Sequence, residues 1–165
     1  MVGVLTRHPE WETILAGFQA ESAWMVGAWS DVQKLVKSVD TQTSTSSVVI
    51  ARVLLAMREG NSDDVEVMLS QARLVLGAPI TAAGTRGYRR SYEAALDLHL
   101  THELEMIYKG TFALTQEPQE SSQQERRRSI AEFSRTLSRR LDLTLPTFRS
   151  REPVLSMRRT AFALS

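Results

Sequence analysis

The chain has 165 residues, an apolar share of 42%, a charged share of 24% and a net charge of +1. That length suits one domain or one slice of a longer array, and the composition excludes a disordered or fibrous chain. The absence of Cys excludes disulfides and thiolate metal sites, and no apolar run reaches the roughly 20 residues of a membrane-spanning helix.

The start, Met1 to Arg7, is too short and too polar for a secretory signal, so the simplest reading is an intracellular soluble protein. Pro9 suits the first position of a helix, where its missing N–H costs nothing. Trp11, Ile14, Leu15, Phe18 and Ser22 follow at helical spacing and predict an inner stripe running to about Gly27. Ser30 is the expected cap of a second helix, with Asp31 in its first turn and Val32, Leu35, Val36 and Val39 inward. Asp40–Ser47 is a polar loop. Val48–Met57 is apolar on nearly every side and predicts a helix packed on both flanks.

Gly60 and Asn61 turn the chain, and Ser62 is the expected cap of a helix with Val65, Met68, Leu69, Ala72, Val75 and Leu76 inward. Gly77 and Pro79 are expected to end it. A Gly- and Ala-rich connection, Ile80–Gly87, leads to the longest helical stretch, Tyr88–Leu114. Its apolar residues are Tyr92, Ala95, Leu96, Leu100, Leu104, Ile107 and Tyr108. Thr115–Gln124 is a polar linker suited to disorder. Glu125–Leu141 carries Ile130, Phe133, Leu137 and Leu141 on one face and Arg on the other. Pro146 breaks the chain, and Pro153 is expected to start a last helix with Leu155 and Phe162 inward. That helix reaches Ser165 without a polar closing turn, so the chain is expected to be a piece of something longer.

A pattern returns after thirty-three residues. Ala23, Gly27, Asp31, Val32, Leu35 and Val36 recur as Ala56, Gly60, Asp64, Val65, Met68 and Leu69. Stacked helix pairs of the tetratricopeptide type produce this period. The expected fold is therefore all-α, a TPR/HEAT-like helical-repeat solenoid of about seven helices. Residues 1–165 form a single segment, with TPR-like pairs over 1–114, a linker over 115–125 and further helices over 126–165, truncated at the C-terminus.

Chemistry-bearing motifs are few. Gly84 and Gly87 follow no strand and make no phosphate loop, and no H-R-D or D-F-G triplet is present. His99, His102, Glu103 and Glu105 (HLTHELE) form the one metal-like cluster. The i, i+3 spacing puts both His on one helix face, but a third ligand would have to come from another helix, and two partly buried histidines are the plainer reading. Charge is uneven: residues 1–115 carry net −3 and residues 116–165 net +4, all ten basic residues there being Arg. Arg126, Arg127, Arg128, Arg135, Arg139 and Arg140 suit a basic interaction face, set against a solvated face. No interleaved aromatics support base stacking, so direct nucleic-acid binding is not expected. Trp11, Trp24 and Trp29 read as core, with Trp29 a packing anchor at the helix corner. Ser or Thr precedes Gln at Thr41, Ser70, Thr115 and Ser122, three of these in expected loops where a kinase can reach them. Phosphate on Ser122 would lie near Arg126–Arg128.

Three segments carry a family resemblance: ESAWMVGAWSDVQKLV (Glu21–Val36), LHLTHELEMI (Leu98–Ile107) and REPVLSMRRTAFAL (Arg151–Leu164). In order and spacing they resemble the FAT domain of the phosphatidylinositol 3-kinase-related kinases, in its checkpoint-kinase branch, over residues 10–165. The resemblance implies a non-catalytic array of helical repeats around a Ser/Thr kinase domain in the same parent chain. That kinase phosphorylates Ser or Thr before Gln in the nucleus, in response to DNA damage and stalled replication. It implies as partners the adjacent repeats, the kinase domain, regulatory proteins and a second protomer, with no cofactor and no membrane. The four Ser/Thr-Gln pairs would suit autophosphorylation. Two other classes stay open at this point: a free-standing repeat adaptor that binds a peptide, and a small helical enzyme using His99, His102 and Glu103.

Overall fold

The computed structural model describes residues 9–40, 44–83, 87–116 and 123–164, and among these the chain forms seven helices and no strand. They are α1 (Pro9–Met25), α2 (Trp29–Ser38), α3 (Ser46–Glu59), α4 (Ser62–Ala83), α5 (Tyr88–Gln116), α6 (Gln123–Leu141) and α7 (Phe148–Ala163). The fold is all-helical, a helical repeat. The chain divides into two compact units, Met1–Asp97 and Leu98–Ser165. That division falls inside α5, away from the expected linker. Thr115 and Gln116 close α5 and Gln123–Glu125 open α6, while 117–122 lie outside the described residues.

In the first unit the thirty-three-residue period has a geometric counterpart. Gly27 and Gly60 both adopt φ +76°, a left-handed conformation that glycine reaches without the steric cost other residues meet. Gly60 N–H donates to Ala56 O at 3.2 Å, and in the first copy Ala28 N–H donates to Ala23 O at 2.8 Å. The two small residues therefore hold the same place before two equivalent corners. Two expected caps move toward the N-terminus, by two residues and by one. Ser30 lies inside α2, which is preceded by Ala28. Asn61, not Ser62, caps α4: its Oδ1 accepts from Asp63 N–H at 3.1 Å, and its Nδ2 donates to Asp64 at 2.7 Å.

Packing confirms some stripes and corrects others. Val32 is buried in α2, and Val65, Leu69, Ala72 and Leu76 are buried in α4. α3 buries eight residues between Val48 and Met57. In α1 the expected stripe faces out. Trp11, Ile14, Leu15 and Phe18 are exposed, and the buried line is Ala16, Ala20 and Trp24. Small residues win this face because α3 lies close: a Cβ on Gly17 would come 2.6 Å from Thr45 Oγ1. Trp29 is half-buried, with the Arg58 guanidinium 5.6 Å over its ring.

Two prolines expected at helix boundaries lie inside helices. α4 runs past Gly77 and Pro79 to Ala83; Gly77 is not left-handed, and the lost hydrogen bond and ring clash of Pro79 do not end the helix. α7 starts at Phe148, with Pro153 inside it, because Thr147 caps it by accepting from Ser150 N–H at 3.3 Å. Its buried residues are Val154, Met157, Arg158 and Ala161, whereas Leu155 and Phe162 are 48% and 41% exposed. In α5, Ala94 takes the buried place expected for Ala95.

Candidate functional site

The second unit is organised around one buried carboxylate. Leu100, Leu104 and Ile107 turn one face of α5 inward, and Glu103 lies on that face with no exposed surface. An isolated ionised carboxylate there would cost far more than the domain's stability. Arg158 of α7 compensates with two hydrogen bonds, Nε to Oε2 at 2.6 Å and Nη2 to Oε1 at 2.8 Å. Its Nη2 also donates to Leu137 O of α6 at 2.7 Å. One guanidinium thus ties three helices together, using the planar donor fork that distinguishes Arg from Lys.

His99 and Arg140 complete the cluster. His99 Nε2 lies 2.9 Å from Glu103 Oε1, off good hydrogen-bond alignment. Arg140 Nε lies 3.6 Å from the same oxygen, and its Nη2 is 3.2 Å from His99 Nδ1. Burial pushes the Glu103 pKa up. The close approach of His99 and the hydrogen bonds and charge of Arg158 outweigh it and hold the carboxyl below its usual range. The cluster reads as a structural lock, with each carboxylate oxygen accepting from the Arg158 guanidinium.

The sequence-predicted residues scatter accordingly. Glu103 pairs with Arg158, while His102 turns to Glu105 at 3.4 Å on the exposed side. Among the described residues no group of three or more His, Asp or Glu is placed to hold a metal. Of the expected basic face, Arg126, Arg127, Arg128, Arg135 and Arg139 are exposed on α6. Arg140 is the correction: it points into the Glu103 cluster. Arg126 Nη2 donates to Leu114 O at 3.2 Å, a contact to a carbonyl near the end of α5. Thr41 and Ser122 lie outside the described residues. Ser70 is exposed in the middle of α4. Thr115 sits in the last turn of α5 instead of a loop, its Oγ1 donating to Phe112 O at 2.7 Å.

Sequence reasoning missed two features. The first is Arg158. Its signal was present, since a lone Arg falls on the Val154–Met157–Ala161 stripe and a lone Glu on the Leu100–Leu104–Ile107 stripe. Two opposite charges on two apolar stripes predict each other. The second is an open groove of about 560 Å³ between α1 and α2, lined by Leu15, Phe18, Ala23, Val26 and Leu35 among others.

The Glu103–Arg158 pair joins the second and third of the resembling segments, and the Gly27 corner lies inside the first. A family model described as "FAT domain" matches residues 16–165. The chain is 27% identical to the serine/threonine-protein kinase ATR of Arabidopsis thaliana over 178 residues, which is 99% of this chain and 6% of that protein. It is 23% identical to the ATR kinase of Oryza sativa subsp. indica over 173 residues, with the same coverage. The chain therefore spans about 6% of the length of these relatives. No solved structure matches significantly. With the family model covering all but its first fifteen residues, the chain belongs to the FAT domain family.

Proposed function

We propose that this chain is the non-catalytic helical-repeat segment of an ATR-like serine/threonine checkpoint kinase, and that it supports and regulates the kinase domain through protein–protein contacts. The observation that carries the reading is the buried Glu103–Arg158 lock, formed between two segments of a chain that matches the FAT model over residues 16–165. Such a lock makes α5, α6 and α7 one stiff block, suited to passing a displacement from one end to a neighbouring domain. Nuclear location, regulatory partners and contacts to a second protomer belong to the same proposal. The exposed Arg128, Arg135 and Arg139 share one face of α6 by helical spacing and are proposed as an acidic-partner face. Phosphorylation at Ser70 or Thr115 would require local unwinding of a helix, so Thr115, in a terminal turn, is the better substrate.

The test uses the full-length parent. Arg158→Met leaves every kinase residue in place, and it should lower phosphorylation of a Ser-Gln peptide several-fold while ATP binding is retained. Unchanged phosphorylation, together with increased hydrogen exchange in α5–α7, would contradict a regulatory role. A parent gene encoding no kinase motifs would contradict the whole reading.

A further inference from the structure

The two copies of the repeat differ in what lies on their outer flank. In the second copy Val48, Ala51 and Ala56 are 0%, 0% and 6% exposed. α1 and α2 pack on α3, and Arg52 donates to Val36 O (3.2 Å) and Val39 O at the end of α2. The groove of the α3–α4 pair is thus occupied by the C-terminal end of the second helix of the pair before it. Thirty-three residues earlier, the equivalent positions are Leu15, Phe18 and Ala23, and the equivalent of Arg52 is Gln19. Leu15 and Phe18 are 38% and 62% exposed, and all four line the open groove of about 560 Å³.

From this internal repeat we infer that the α1–α2 groove is the seat of one further helix pair of the same kind, preceding α1 in the parent chain. The inference rests on the proposed reading of the chain as a segment of a longer array. The C-terminal turn of that pair's second helix lies over Leu15, Phe18 and Ala23, and the Gln19 amide donates to its last carbonyls as Arg52 does to those of α2. Three features favour this occupant. The groove is apolar and concave along two helices, which fits a helix face and not an extended peptide. Each repeat leaves a face that only a neighbour can bury. The same positions one period later are closed by such a neighbour.

The experiment places a photo-crosslinking amino acid at Phe18 of the full-length parent, with Leu74 of α4 (75% exposed) as the control site. Linked peptides are identified by mass spectrometry, and kinase activity is measured on the same preparation. The expected result is loss of the free Phe18 peptide and its recovery joined to a segment of the same polypeptide N-terminal to Met1, with no such product at Leu74. Crosslinking to a second copy, to another protein, to residues 1–8 or to residues beyond Ser165 would overturn the inference, as would a Phe18 peptide recovered unlinked. A kinase-active preparation giving any of these sinks the groove assignment alone. A preparation without kinase activity that links as expected sinks the kinase reading and leaves the groove assignment standing.

Discussion

The two compact units are stabilised by different means. Residues 9–97 are built from a repeated code: an apolar stripe, a small residue, a left-handed glycine corner and an acidic first turn. Residues 98–164 are organised differently, around a carboxylate with no exposed surface held by Arg158. A repeat spreads its stabilisation over many similar contacts, each side chain adding about 1.5–3 kcal/mol on burial. A buried ion pair concentrates the cost of failure in one place, because losing either partner strands a charge.

The largest effect should follow from breaking that concentration. Arg158→Met strands Glu103 and is expected to cost about 3–5 kcal/mol in denaturant unfolding. Arg140→Met, at the 3.6 Å edge of the cluster, should cost clearly less. Equal costs would mean that the cluster is diffuse.

The units should also respond to pH with opposite sign. In the first, the Asp97 carboxyl is pushed up to about 6, chiefly by burial, with a hydrogen bond to Ser46 working against it and Glu93 adding to it. A folded pKa above the unfolded one means a contribution that is complete below about pH 4 and lost as pH rises through about 6. Asp97→Asn should therefore stabilise the first unit above pH 6, by about 1–3 kcal/mol, and flatten its pH profile between 4 and 6. Glu103 is shifted down, so its contribution is present above pH 4.5 and lost on acidification. Region-resolved hydrogen exchange at pH 4 and pH 7 reads both. A common slope in the two units would break the comparison.

Close approach offers a third probe. A Cβ on Gly110 would meet the Phe133 ring at 2.7 Å, and that ring already makes an edge contact with Phe162 at 6.2 Å. Gly110→Ala should cost about 1–3 kcal/mol through repacking. In the first unit, Gly60→Ala meets nothing within 4 Å, so its cost of about 1–2 kcal/mol comes from the left-handed backbone alone. A Phe133→Leu background should relieve Gly110→Ala and leave Gly60→Ala unchanged.

The repeating part was the more legible. The α2 and α4 stripes and the two corners could be read because a 3.6-residue period and a glycine each act locally. α1 was misread for a physical reason. It carries both a large apolar stripe and a line of small residues, and which one turns inward depends on how closely α3 approaches. α1 alone does not encode that approach, which depends on Gly17 meeting Thr45, twenty-eight positions later. α7 failed similarly. Arg158 falls on the Val154–Met157–Ala161 stripe, but a charge stays inward only with a partner, and that partner, Glu103, lies fifty-five positions earlier. The same long-range pairing draws Arg140 away from the basic face and builds the lock around Glu103.

The central claim, that one specific charge pair holds α5 to α7, is tested most directly by a double-mutant cycle on Glu103→Gln and Arg158→Met in the purified chain. The account predicts a coupling energy of about 2 kcal/mol or more, with the double variant less destabilised than the sum of the single ones. Additive costs with no coupling would contradict it.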